Sequence, residues 1–152
     1  MAALELGKQQ EEEEDLLEAL RHARELSQVG EEIPIRSGLA ELRRRQGNLK
    51  AARELLDEVW EPAERGSFRL YHADAYNVLA QTERDAGHDE EAFQAATNAY
   101  RLSWCDCPPY AYHYGLQKAQ AHLFALHRPE PNLPPFDVAG REPLPEVEID
   151  PP

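Results

Sequence analysis

The sequence predicts an all-α protein, an array of antiparallel helix pairs with an extended C-terminal tail, and three observations predict it. Apolar residues recur close to every 3.6 positions from about residue 12 to residue 126, with no strand-like alternation of useful length. The stretch "GNLKAARELLDEVW" at 47–60 returns in pattern as "GHDEEAFQAATNAY" at 87–100, an offset of 40 residues from Gly47 to Gly87. Eight of the 12 prolines fall in residues 129–152, which denies that stretch the hydrogen bonds of a helix or a central strand. The offset has a physical cause. One helix pair with a narrow apolar face cannot bury it alone, so copies stack and the repeat stays visible in the sequence. Ala40 with Ala52, and Ala80 with Ala92, fall where the two helices of a pair approach most closely.

The elements are expected in this order. A first helix runs from about Glu12 to Val29, with Leu16, Leu17, Leu20, Ala23 and Leu26 on one stripe and Gly30 as its C-cap. Pro34 suits the start of a second, which carries Leu39, Ala40 and Leu42 to a turn at Gly47. The third holds Leu49, Ala52, Leu55, Leu56, Val59 and Trp60, and the residues that lengthen the period are expected around "EPAERGSF" at 61–68. A fourth starts near Ser67 with Leu70, Tyr71, Ala75, Tyr76, Leu79 and Ala80, and closes at Gly87. A fifth spans about Glu90 to Trp104, the double proline at 108–109 separates it from the last, and that one runs from Tyr110 to about Leu126. The resulting organisation is an acidic lead at 1–15, a helical repeat domain at 16–128 and a Pro-rich acidic tail at 129–152. The first helix reads as the second member of a pair and the last as a lone cap, a pattern expected of a piece of a longer repeat protein.

Charge narrows the function. Sixteen basic against 29 acidic residues give a net charge of −13, which disfavours nucleic acid and anionic membrane surfaces as partners. Residues 1–15 and 129–152 each carry −5 of it, so the middle is only −3. The "EEEED" run at 11–15 is expected to be a solvated face that complements a helix dipole. No run reaches the roughly 18 apolar residues of a membrane span, and the N-terminus lacks a signal peptide's regions, so a cytoplasmic protein is expected. Cys105 and Cys107 cannot build a disulfide framework, in keeping with a reducing compartment.

The "YNVLAQTE" at 76–83 resembles the first half of a tetratricopeptide repeat, with Tyr76 in place of Trp, Leu79 as it stands, Ala80 in place of Gly and Glu83 in place of Tyr. Ala92 fits that family's helix-pair alanine, and Ala96 stands where a Phe is expected. In the earlier unit Leu39, Ala40, Ala52 and Leu56 fit, while Arg36 and Arg43 occupy the aromatic positions, and the period is 40 rather than about 34. The segment from "YHADAYNVLAQTERDAG" through "WCDCPPYAYHYGLQKAQAHLFAL" also resembles the C-terminal repeat regions of bacterial STAND-type signalling ATPases, although no G-x-x-x-x-G-K-[ST] occurs.

The resemblance implies a right-handed array that binds a peptide or partner protein in its concave groove without catalysis or cofactor. The alternative it implies is the sensor or regulatory end of such an ATPase. In that family the first helix of each pair lines the groove, which points here to Ser37, Glu41, Arg44 and Arg45, then Asp74, Asn77, Gln81 and Arg84, then Tyr114 and Lys118. Of these, Arg44, Arg45, Asn77, Gln81, Arg84, Tyr114 and Lys118 are the partner-binding candidates, suited to bonding a peptide backbone and its acids. The Lys and Asn clamp that some members use for a chaperone's C-terminal carboxylate is not reproduced, since Ser37, Glu41 and Val78 stand at three of its positions.

Other chemistry is weakly supported by the sequence. Cys105, Cys107 and His113 have ligand types suited to zinc, but a structural site needs four ligands and His72 or His88 would have to come from elsewhere, so no metal is expected. Nucleophilic catalysis lacks a base and orienting group in reach of either thiol. Trp104, Tyr110 and Tyr112 are expected to pack at the last helix junction, with Tyr114 more open. Leu133 and Phe136 of the tail, and the alternating "EVEID" at 146–150, could lie along the array.

Overall fold

A computed structural model describes residues 3–135 and shows seven helices and, among the described residues, no strand. They are α1 (Ala3–Glu25), α2 (Val29–Arg45), α3 (Leu49–Asp57), α4 (Trp60–Arg65), α5 (Arg69–Asp85), α6 (Asp89–Trp104) and α7 (His113–Ala125). Sequence neighbours pack on one another except α3 and α4, which pack instead on α2 and α5, and α2, α5 and α7 also touch in series. No described helix is long and apolar enough to cross a membrane.

The turns carry a period that the sequence shows only in part. Ser27, Gly47, Ser67, Gly87 and His127 all have positive φ, at intervals of 20 residues except for the gap between 87 and 127. In each, the next residue's N–H donates to the carbonyl five positions back: Gln28 to Ala23, Asn48 to Arg43, Phe68 to Ala63, His88 to Glu83 and Arg128 to Leu123, at 2.8–3.0 Å. This is the left-handed C-cap that satisfies a helix's last carbonyls. The missing position, 107, also has positive φ, but Pro108 has no N–H to donate, and the Ser103 carbonyl takes the Tyr112 N–H at 2.8 Å instead.

Only two of the six turn residues are glycines, so the turn energetics are uneven. Nothing lies within 4 Å of a Cβ built on Gly47 or Gly87, so alanine there meets only the backbone cost. Gly47→Ala and Gly87→Ala are each expected to lower stability by about 1 kcal/mol, and Ser27→Gly to raise it by several tenths, as measured by urea denaturation.

The core lies between neighbouring helices. Ala40, Ala52, Ala80 and Ala92 are all fully buried, as a shared seam between close helices requires. One cluster gathers Ile33, Ala40, Ala52, Leu56, Val59, Ala63 and Ala75 between α2, α3, α4 and α5, and a second gathers Ala80, Ala95, Ala96, Ala99, Tyr100, Leu116, Ala119 and Leu123 between α5, α6 and α7. Leu133 packs on the second, and the Trp104 Nε1–H donates to the Pro134 carbonyl at 3.0 Å, so the start of the tail lies along α6. Phe136 and "EVEID" lie outside the described residues.

Several boundaries depart from expectation. The first helix is Ala3–Glu25 rather than Glu12 to Val29, because Ser27, not Gly30, takes the left-handed turn. Gly30 sits in the first turn of α2 under the Phe68 ring, whose Cζ would lie 2.8 Å from an added Cβ. Pro34 lies inside α2, not at its start. The acidic run at 11–15 is mid-helix rather than ahead of a helix, with Glu12 bonded to Arg45 and Glu13 to Arg43 of α2. Residues 61–68 hold most of α4 and the turn after it, so the second helix of this stretch runs on past its break, while α2 and α5 span 17 residues each and α6 16. Pro62, with no N–H for the Glu58 carbonyl, explains why the second helix of that unit breaks into α3 and α4. The last helix begins at His113 rather than Tyr110.

Candidate functional site

Helices α2, α5 and α7 enclose a cavity of about 340 Å³ lined mostly by polar side chains: Glu41 and Arg44 of α2, Asn77, Val78, Gln81 and Arg84 of α5, and Lys118, Ala121 and His122 of α7. The 40-residue period puts these positions together. Glu41, Gln81 and Ala121 are equivalent, as are Arg44 with Arg84 and Val78 with Lys118, while His122 lines the cavity from a position whose equivalent on α5, Thr82, does not.

Five of the seven candidate residues line this cavity. Arg44 bonds Glu41 through two nitrogens and reaches Asp85 of α5 at 2.7 Å, tying α2 to α5. The bond to Glu41, then the one to Asp85, outweigh the cost of burial and hold its guanidinium above the ordinary value. Burial alone would raise the Asp85 carboxyl, but the bonds from Arg44 and Gln81 win and leave it lowered. Gln81 Nε2 donates to Asp85 at 2.8 Å.

Arg84 differs from its equivalent Arg44. Its Nη1 lies 3.0 Å from His122 Nδ1 and 3.5 Å from Gln81 Oε1, and among the described residues no carboxylate lies within bridging distance of it. Lys118 also lacks such a partner, and its Nζ sits 4.6 Å from the centre of the Tyr114 ring. Arginine can only donate, so His122 Nδ1 must be the bare acceptor nitrogen and the ring is neutral. Burial first, then the charges of Arg84, Lys118 and Arg44, push the His122 imidazole down to about 4, against a hydrogen bond with the Asn77 backbone.

The remaining candidates lie elsewhere or play another part. Asn77 is buried, and its Nδ2 donates to the Gly115 carbonyl at 3.1 Å, which fastens α5 to α7, while its Oδ1 has no hydrogen-bond partner among the described residues. Ser37, the equivalent position on α2, is likewise buried. Arg45 points away to Glu12 of α1 at 2.7 Å, and Tyr114 is exposed outside the cavity lining. Asp74 accepts the Tyr112 hydroxyl at 2.8 Å; burial pushes its carboxyl up, opposed by that bond and by Lys118. His122, Val78 and Ala121 were not anticipated. The signal for His122 was present, since it lies four residues after Lys118 on the same helical face.

At the α6–α7 junction, Trp104 stacks on Tyr100 with centroids 5.7 Å apart and Tyr112 is half-buried, but Tyr110 is exposed, contrary to expectation. Gly115 permits this close approach, because a Cβ there would meet Ser103 Oγ at 2.5 Å and the Tyr112 ring at 2.6 Å. Cys105 and Cys107 are not joined in a disulfide, and their Sγ atoms lie near the Leu102 and Pro108 carbonyls. Among the described residues no group of three or more His, Cys, Asp or Glu side chains is arranged to hold a metal ion.

The fold and the cavity therefore define the chain as an all-α bundle with a polar, partly cationic cavity between three of its helices. Comparison with protein-family models, with curated proteins and with solved structures finds no match for this chain.

Proposed function

We propose that the chain is a non-catalytic protein-interaction module that receives an acidic stretch of a peptide or partner protein in the cavity between α2, α5 and α7. The observation that carries this reading is the pair of cations, Arg84 and Lys118, that line the cavity with no carboxylate among the described residues within 4 Å of either, Asp85 and Asp74 acting on them only at longer range. A guanidinium and an ammonium a helix apart suit a carboxylate, which accepts charge-assisted bonds from both. Arg44 is already engaged by Glu41 and Asp85, so it shapes the wall and leaves recognition to the other two. The tetratricopeptide-like units support the reading by analogy alone.

The test is a fluorescence titration with a labelled Glu/Asp-rich peptide and its Gln/Asn counterpart. Charge-assisted bonds contribute about 1.5–3 kcal/mol each, so the neutral peptide, and the variants Arg84→Gln and Lys118→Gln with the acidic one, are each expected to bind at least about tenfold more weakly. Equal affinity for the two peptides, or for wild type and both variants, would contradict the reading.

A further inference from the structure

A second cavity, of about 490 Å³, opens between α4, α5 and the end of α6, and much of its wall is aromatic. Trp60 of α4 stacks on Tyr76 of α5 with centroids 4.4 Å apart, and His72, one turn before Tyr76, stacks on it at 5.0 Å. All three rings are half-buried. The Trp60 Nε1–H and the Tyr76 hydroxyl have no hydrogen-bond partner among the described residues. Glu64, one turn after Trp60, is exposed at the same cavity without an ion-pair partner among the described residues, and its charge acts on both the His72 and the Tyr76 rings. Arg69 also lines the cavity, but its guanidinium donates to the Arg101 and Leu102 carbonyls at 3.2 and 2.7 Å, where it satisfies the last turn of α6.

The same wall recurs 40 residues on, and there it is covered. Tyr100, Trp104 and Tyr112 are the equivalents of Trp60, Glu64 and His72. Tyr100 and Trp104 stack on one another, and the chain's own segment 129–135, which holds Pro129, Pro131, Pro134 and Pro135, lies against them. Leu133 packs on the cluster that contains Tyr100, and the Trp104 Nε1–H donates to the Pro134 carbonyl at 3.0 Å. Proline holds the chain extended and leaves its carbonyls without internal partners, so aromatic faces with an indole donor between them suit a proline-rich segment. The Trp60 wall has the same parts, with its indole donor unused.

We propose that the Trp60 wall docks a proline-rich segment of a partner protein, with a proline carbonyl on the Trp60 Nε1–H and a basic residue of the segment at Glu64. The charge of Glu64 selects a foreign segment over the tail of a second copy, because residues 136–152 hold five acids against Arg141 alone. This surface shares no lining residue with the cavity between α2, α5 and α7, so the proposal does not rest on what that cavity receives.

The isotope-labelled full chain gives one indole N–H signal for each of its two tryptophans, and Trp60→Phe tells them apart. The probes are a synthetic oligoproline peptide with one arginine, the same peptide with glutamate in place of the arginine, and a glycine–serine peptide that keeps the arginine. The arginine oligoproline is expected to move the Trp60 signal saturably, while that of Trp104, already bonded to Pro134, stays in place. Glu64→Gln, a change at the surface, is expected to weaken this binding about two- to fivefold, as the loss of an exposed ion pair does. Trp60→Phe, read at the Tyr76 amide and checked for folding by circular dichroism, is expected to weaken it about three- to tenfold through the lost donor. A Trp60 signal that is unmoved up to about 1 mM peptide, or that the glycine–serine peptide moves as far, would overturn the proposal. Movement of the Trp104 signal alone would overturn it too, since the peptide would then only displace the tail. Equal affinity for the arginine and glutamate peptides would overturn the foreign basic segment and leave the acidic tail of a second copy as the occupant.

Discussion

Replacing Leu56 with alanine is expected to cost about 2–5 kcal/mol and to lower the melting temperature by several degrees, the largest stability effect of any single change proposed for this protein. Leu56 is fully buried on α3 among Ile33, Ala40, Ala52, Val59, Ala63 and Ala75, so its side chain bridges α2, α4 and α5 at once. The cost combines the lost transfer free energy of the removed atoms with that of the cavity they leave. Collapse around that cavity is limited, because much of its wall is alanine and has no longer side chain to swing inward. Leu55, next to it, is only partly buried, and Leu55→Ala should cost clearly less. Equilibrium urea denaturation of both variants checks the contrast. Similar small losses for the two would mean that the seam between the units is not where the stability resides.

Between pH 6.5 and about 4 the protein is expected to lose about 3 kcal/mol through His122 alone. The folded state holds this imidazole neutral, down to about 4, while in the unfolded chain it titrates near 6.5. Above pH 6.5 neither state binds the proton and nothing is lost. As the pH falls through the interval the unfolded chain takes up a proton that the folded one refuses, so stability declines, and below about 4 this contribution levels off. The groups facing the ring, Arg84, Lys118 and Arg44, are all cations and act in the same direction as burial. Glu83, buried on α5, adds acid sensitivity at lower pH: burial would raise its carboxyl, but Arg53 and His88 outweigh that and hold it below the ordinary value. Its stabilising contribution is present above the ordinary carboxylate range and disappears as the pH falls through the lowered value. Melting temperatures of wild type and His122→Gln across pH 7 to 4 separate the two groups. The glutamine variant should lose the upper part of the decline and keep the lower.

The helices were legible in the sequence wherever a 3.6-residue apolar stripe met a glycine turn, as at Gly47 and Gly87. The first helix end was misplaced because its left-handed residue is Ser27, which carries no sequence mark that distinguishes it from any exposed serine, whereas the start expected near Ser67 falls within two residues of Arg69. Gly30 and Pro34 misled for the converse reason. Each looks like punctuation, yet Gly30 makes room for Phe68 from a distant turn and Pro34 is carried inside a helix stabilised by its packing. The cavity was legible as a set of positions at fixed offsets, and five of the seven candidates line it. What the offsets could not convey was which of those positions the next helix covers. Asn77 and Ser37 are buried there, and the neutral His122 acquires its role only from the cations that packing sets around it.

The recognition of an acidic segment between α2, α5 and α7 is tested most directly by amide chemical-shift mapping of the isotope-labelled protein as an unlabelled Glu/Asp-rich peptide is added. The predicted result is saturable shifts concentrated at Gln81, Arg84, Lys118 and His122 that vanish when Arg84 and Lys118 are both replaced by glutamine. Saturable shifts confined to other surfaces, or a map left unchanged by the double replacement, would contradict it.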